Sequence, residues 1–177
     1  GVVTGAHIAA DPGLSGTYVP LAGHRLWVPP QSMSATVGTP SSNGTGIGNR
    51  YFSWQLSPTT NHQMTCTFAA PAGWDAMNVD AYWSVYTAAS GDVTVQATYA
   101  HMGAAGTDLG SAGLDSAGPV ITQAAPAAAN LLAVTRVLTA VPVGTGPGHI
   151  RFLRRATDGT DTYTSDLCLM GLVLGKA

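Results

Sequence analysis

An all-β fold is what this sequence predicts: an antiparallel two-sheet sandwich of jelly-roll type with about eight strands. Three observations carry that expectation. Segments of alternating apolar and polar residues recur, turns rich in Gly, Pro, Ser and Asn separate them, and no stretch sustains a helical period. Composition agrees, because the chain has no glutamate and one lysine, Lys176, the two residues that usually cover the solvent faces of helices. Charged residues make up 9% of it, against roughly 25% in ordinary globular domains.

Residues 1–30 read as an extended N-terminal neck or arm, punctuated by Asp11-Pro12-Gly13 and Pro20, and 31–177 as the sandwich head. Leu26-Trp27-Val28 is a short strand cut off by Pro29-Pro30, which a central strand would not tolerate. The stretch TPSSNGTGIGN, residues 39–49, is a loop by composition. Strands are expected over Tyr51–Ser57 and Gln63–Ala69, the second with Met64, Cys66 and Phe68 on one face. Met77–Thr87 carries the clearest alternation. Met77, Val79, Ala81, Trp83 and Val85 share one side, and Asn78, Asp80, Tyr82, Ser84 and Tyr86 the other. Ser90-Gly91-Asp92 would turn the chain into a hairpin partner bearing Val93, Val95, Ala97 and Tyr99. After a Gly/Ala-rich stretch come a short edge strand over Pro119–Gln123, room for one helical turn in 124–132, and a strand over Ala133–Val141. A last hairpin pairs His149–Arg155 with Ser165–Leu174.

Few catalytic arrangements survive a reading of the residues. Gly13-Leu14-Ser15-Gly16 and Gly110-Ser111-Ala112-Gly113 lack the spacing of a nucleophile elbow. A carboxylate pair must come from aspartates alone, and Asp75 and Asp80, five apart on a strand, point to opposite faces. The five histidines are scattered without metal-ligand spacing. The glycine runs 44–48 and 144–148 lack the order of a phosphate loop. The expectation is a protein that is no enzyme and holds no metal or cofactor. In ATDGTDTYTSD the acids are expected to neutralise arginines, Asp158 and Asp161 pairing with Arg154 and Arg155 across the hairpin or between subunits. A net charge of −2 offers no nucleic-acid footprint. No run of about eighteen apolar residues exists to span a membrane as a helix. Cys66 and Cys168, each inside apolar alternation, read as two buried thiols, with a disulfide open only to neighbouring strands. The start at Gly1, without Met or a basic-apolar leader, suggests a cleaved product or an excised fragment.

The aromatic residues remain. Trp83 and Trp54 suit the sandwich core. Tyr82 and Tyr86 share a face with Asp80 and, with Trp74, are candidates for a ligand or subunit contact. Rings beside Asp and Asn suit sugars, whose C–H faces stack while hydroxyls hydrogen-bond.

GTYVPLAG (residues 16–23) is similar to segments that precede the terminal domain in bacteriophage tail-fibre and minor-tail proteins. PAGWDAMNVDAYWSVYTAASGDVTVQATY (71–99) and HIRFLRRATDGTDTYTSDLCLMGLVL (149–174) resemble the C-terminal β-sandwich domains of that family. The resemblance implies a homotrimeric virion protein on a phage tail or fibre, in contact with other virion proteins and with host cell-surface polysaccharide. In such a trimer Tyr18, Val19 and Leu21 would meet their symmetry mates and form the neck. A capsid decoration protein on the shell exterior, and a carbohydrate-binding module or appended glycan-active enzyme, are the alternatives. Solution mass and the location of the protein in the particle separate them.

Overall fold

A computed structural model describes residues 19–21, 25–37, 41–47, 51–88, 90–101, 116–144 and 146–177, with backbone only at 19–21, 41–47, 51 and 116. Thirteen strands run through the described residues: β1 (Val19–Leu21), β2 (Arg25–Val28), β3 (Ser34–Val37), β4 (Ser41–Ile47), β5 (Tyr51–Leu56), β6 (His62–Phe68), β7 (Ala76–Val85), β8 (Asp92–His101), β9 (Ser116–Ala117), β10 (Ile121–Ala124), β11 (Ala133–Pro142), β12 (Gly148–Arg154) and β13 (Leu167–Lys176). The strands not expected, β1, β3, β4 and β9, lie along the sheet margins, where the sequence need not alternate. Past β10, residues 125–132 form turns, bends and extended backbone, not the expected helical turn.

Every pairing is antiparallel, and the strands make two sheets. In the first, β13 is central: β7 and then β11 lie on one side of it, and β2–β1 and β5–β4 share its other edge. The second runs β10–β8–β12–β6–β3, with β9 also on β8. The inner faces meet in one core. Val79, Ala81, Trp83, Ala97, Ile150, Phe152, Leu169 and Leu172 are essentially inaccessible there. Apolar area from both sheets is thereby removed from water, the main stabilising term of such a sandwich.

Two expected hairpins do not form. Both edges of β7 are taken, by β11 and β13, so the chain crosses after Val85 and β8 enters the opposite sheet. Likewise β12 sits in the second sheet and β13 at the centre of the first. Alternation gave the buried faces of β7 and β8 but carries no information about a strand's neighbour. The expected loop 39–49 contains β4, which pairs with β5 along the sheet edge. A strand that pairs on one side only tolerates a polar, glycine-bearing sequence.

Strand β2 lies inside the first sheet against β13, and Leu26 and Val28 belong to the core. Pro29 and Pro30 follow the strand and open a single 3-10 turn, where a missing N–H costs no ladder bond. Tyr18 lies outside the described residues. Val19 and Leu21 are backbone positions of β1, which among the described residues pairs with β2 alone.

A bulge shapes β13. Leu167 and Leu169 point inward, then Leu172 and Leu174, so the inward series slips by one residue between Leu169 and Gly171. The extra residue is absorbed there, which keeps both leucine pairs in the core. Gly171 has φ +140°, and a Cβ on it would come within 2.5 Å of the Val28 carbonyl oxygen and 2.7 Å of the Trp27 ring. Only glycine fits this site.

Candidate functional site

The outer face of the first sheet is built by the same alternation that fills the core. Leu26 and Val28 face inward, which turns Trp27 outward; Val79, Ala81 and Trp83 face inward, which turns Asp80 and Tyr82 outward. Register then sets the neighbours. Trp27, Val173, Asp80 and Arg136 line up across β2, β13, β7 and β11, and Gly171, Tyr82 and Val134 form the next row. The Trp27 ring lies over Gly171, where no side chain intervenes, and meets Tyr82 edge-to-face with centroids 5.7 Å apart at 89°. Both rings are half-buried, so each is fixed while part of it meets solvent. Beside them Arg136 Nε donates to Asp80 Oδ1, and Arg136 Nη2 donates to Oδ2 at 3.1 Å. This two-pronged contact holds the Arg136 pKa above its ordinary value and leaves the Arg136 side chain 45% exposed.

One end of the face is apolar. Tyr86 follows β7 and is 52% exposed, and Leu131, Leu132 and Val134 of the neighbouring segment are exposed too. Hydrogen bonds hold the two segments together: Ser84 Oγ donates to the Leu131 carbonyl (2.7 Å), and the Asn130 N–H to that of Val85 (3.0 Å).

Of the four expected ligand residues, Tyr82 and Asp80 are therefore adjacent, and Tyr86 lies just past the end of their strand. Trp74 does not join them. It belongs to the interior, 6% exposed, and lines a cleft of about 430 Å³ between residues 69–75 and the segment after β11. Its large apolar ring is drawn inside because the loop carrying it caps the open end of the sandwich. Trp27 and Arg136 complete the face and were missed by sequence reasoning. For Trp27 the signal was present in Leu-Trp-Val, where core residues flank a ring forced to the other side. Arg136 carried no signal, because only the β7–β11 register brings it to Asp80.

The expected arginine partners lie within one chain. Arg154 continues the inward series of Ile150 and Phe152, and both it and Asp161 have fully buried side chains, Nη2 to Oδ1 at 2.9 Å. Arg155 and Asp158 form a half-exposed pair at 3.3 Å. Hydrogen bonds from Thr160 to Asp158 depress the carboxyl's pKa, with the Arg155 charge adding to the effect. Among the described residues no three His, Cys or acidic side chains converge as a metal cluster would. Cys66 and Cys168 are free thiols buried in opposite sheets, and burial raises their pKa values to about 12 and about 11.

No protein-family model matches the chain, and no curated protein matches it. Solved structures do. A family 35 carbohydrate-binding module from Clostridium thermocellum superposes with a TM-score of 0.53 at 8% identity, covering 86% of this chain and 98% of that one. The CBM36-1 domain of a multidomain xylanase from the hindgut metagenome of Trinervitermes trinervoides gives 0.51 at 14% identity, with coverages of 86% and 98%. The fold is that of β-sandwich carbohydrate-binding modules. The enzymatically active domain of bacteriophage CBA120 tailspike protein 4 is also similar, at a TM-score of 0.46 and 12% identity. That match covers 82% of this chain, which spans 19% of the tailspike chain, and the likeness is too slight to argue from.

Proposed function

We propose that this chain is a non-enzymatic carbohydrate-binding domain whose platform is the outer face of the first sheet. The observation that carries the reading is the Trp27–Tyr82 pair, held edge-to-face over Gly171 beside the Asp80–Arg136 couple. Rings fixed before binding lose little entropy when a sugar's C–H face stacks on them. The carboxylate accepts and the guanidinium donates hydrogen bonds to hydroxyls at the ring edge. An open sheet face suits internal units of a long polysaccharide.

The setting we propose is a phage tail appendage that binds host-surface polysaccharide, in keeping with the resemblance at residues 16–23, 71–99 and 149–174. In a homotrimer, joined near Tyr18, Val19 and Leu21, three weak sites on one particle would act together and multiply the affinity. Affinity electrophoresis against bacterial wall polysaccharides tests the platform. Trp27→Ala and Tyr82→Ala should each weaken binding by about 2 kcal/mol, roughly thirtyfold. Variants that keep their fold and bind as well as the parent would remove the platform, and a parent that binds no polysaccharide would remove the function. Light scattering on Val19→Asp with Leu21→Asp tests the trimer, and a parent mass of one chain refutes it.

A further inference from the structure

The three described tryptophans that contribute to the core differ in one respect. Trp54 Nε1–H donates to the Pro30 carbonyl at 2.7 Å and Trp83 Nε1–H to Thr135 Oγ1 at 2.8 Å. The Trp74 indole N–H is buried and has no acceptor among the described residues. Buried donors are rarely left unmade, and the residue that carries this one lines a cleft. Beside it, the exposed Asp75 carboxylate has no hydrogen bond or ion pair within the described chain. Ala70 and Val143 supply apolar wall and pack on the core. Gly73 (φ +82°) and Gly146 open the rim, and a Cβ on Gly73 would meet nothing within 4 Å. No lysine or arginine is among the described lining residues.

We infer that this cleft is a second glycan subsite, which takes one neutral sugar ring. The inference deepens the carbohydrate reading and rests on it for the ligand class. The cleft's volume of about 430 Å³ falls in the range of about 300–1,000 Å³ usual for small-molecule sites. A ring hydroxyl accepts from the Trp74 N–H, another donates to Asp75, and the ring's C–H face rests on the alanine and valine wall. The lone carboxylate, with no cation beside it, selects against uronic acids and phosphorylated units.

The test is an NMR titration of the full-length, nitrogen-labelled chain with methyl glycosides of glucose, galactose, xylose and N-acetylglucosamine, and with methyl glucuronide. At least one neutral glycoside should shift the Trp74 indole signal and the Gly73 and Asp75 amides at millimolar concentration, and the glucuronide should not. Trp74→Phe keeps the ring and removes the donor, and Asp75→Asn alters an exposed side chain that the fold does not need. Each should weaken that binding by about tenfold and leave polysaccharide retention by the Trp27–Tyr82 platform unchanged. Silence at Trp74, Gly73 and Asp75 across all neutral glycosides overturns the subsite, even if the platform binds polysaccharide. Binding in the cleft without polysaccharide retention upholds the subsite and removes the platform.

Discussion

Replacing Asp161 by alanine should destabilise the fold more than any surface change. Asp161 Oδ2 accepts from Arg154 Nε (3.1 Å) and from the Thr94 backbone N–H (3.0 Å), and Oδ1 accepts from Arg154 Nη2 (2.9 Å). Arg154 also donates to the carbonyls of Leu56, Ser165 and Tyr163 at 2.7, 2.8 and 2.8 Å. Leu56 belongs to the first sheet and Thr94 to the second, so this pair ties both sheets to the crossing segment. Without Asp161 a guanidinium with 0% exposure keeps its carbonyls but loses its counter-charge, at about 3–5 kcal/mol. The freed Thr94 N–H adds about 1 kcal/mol. A loss of about 4–6 kcal/mol is a large part of the roughly 5–15 kcal/mol that holds a typical domain folded. It should lower Tm by about 8–24 °C, at roughly 2–4 °C per kcal/mol for a chain of this size. Calorimetry and urea titration followed by circular dichroism measure it. Adding Arg154→Met removes the stranded charge, so the double variant should be more stable than Asp161→Ala alone. A single-variant loss below about 1 kcal/mol, or a double variant that only adds further loss, refutes the reasoning.

Gly171→Ala should cost about 2–4 kcal/mol, from positive φ and a methyl driven against the Val28 carbonyl and Trp27 ring. It should also weaken polysaccharide retention by displacing Trp27; unchanged retention and stability would show that the bulge tolerates a side chain. Burial lowers the His62 pKa from its ordinary 6.5, with Asp166 opposing this and Arg154 adding to it, and His149 is lowered by burial and by Arg151. The unfolded chain then takes up the proton first, so stability is complete above 6.5 and declines as pH falls below it. The aspartate contribution follows only below 3.8, the ordinary value from which Asp158 is depressed. His62→Gln should flatten the upper of these two slopes in urea titrations across pH, and an unaltered slope counts against His62 as its source. Cys66 and Cys168, raised to about 12 and about 11 and buried, should resist maleimide at neutral pH until urea unfolds the chain. Rapid labelling of the native protein would contradict their burial.

The sequence alone determined the class of fold, the buried face of β6, β7 and β8, the burial of Trp83, and the chemical tendency of Asp158 and Asp161 to find Arg154 and Arg155. All of these are local properties: a period of two, the residues a turn requires, and charges a few positions apart. Which strand lies beside which was decided only in three dimensions. Strands β7 and β8 look like a hairpin and part into opposite sheets, and β4 looks like a loop and completes an edge, because alternation specifies a face and leaves the partner open. The candidate site followed the same division. Asp80 and Tyr82 were visible as outward residues of one strand. Their company was not: Trp27 reaches Tyr82 across the glycine bulge of β13, Arg136 reaches Asp80 through a pairing of distant segments, and Trp74 is drawn inside by the end of the sandwich it caps. Contacts between residues far apart along the chain depend on register and on closure of the two sheets, and neither leaves a mark on any single segment.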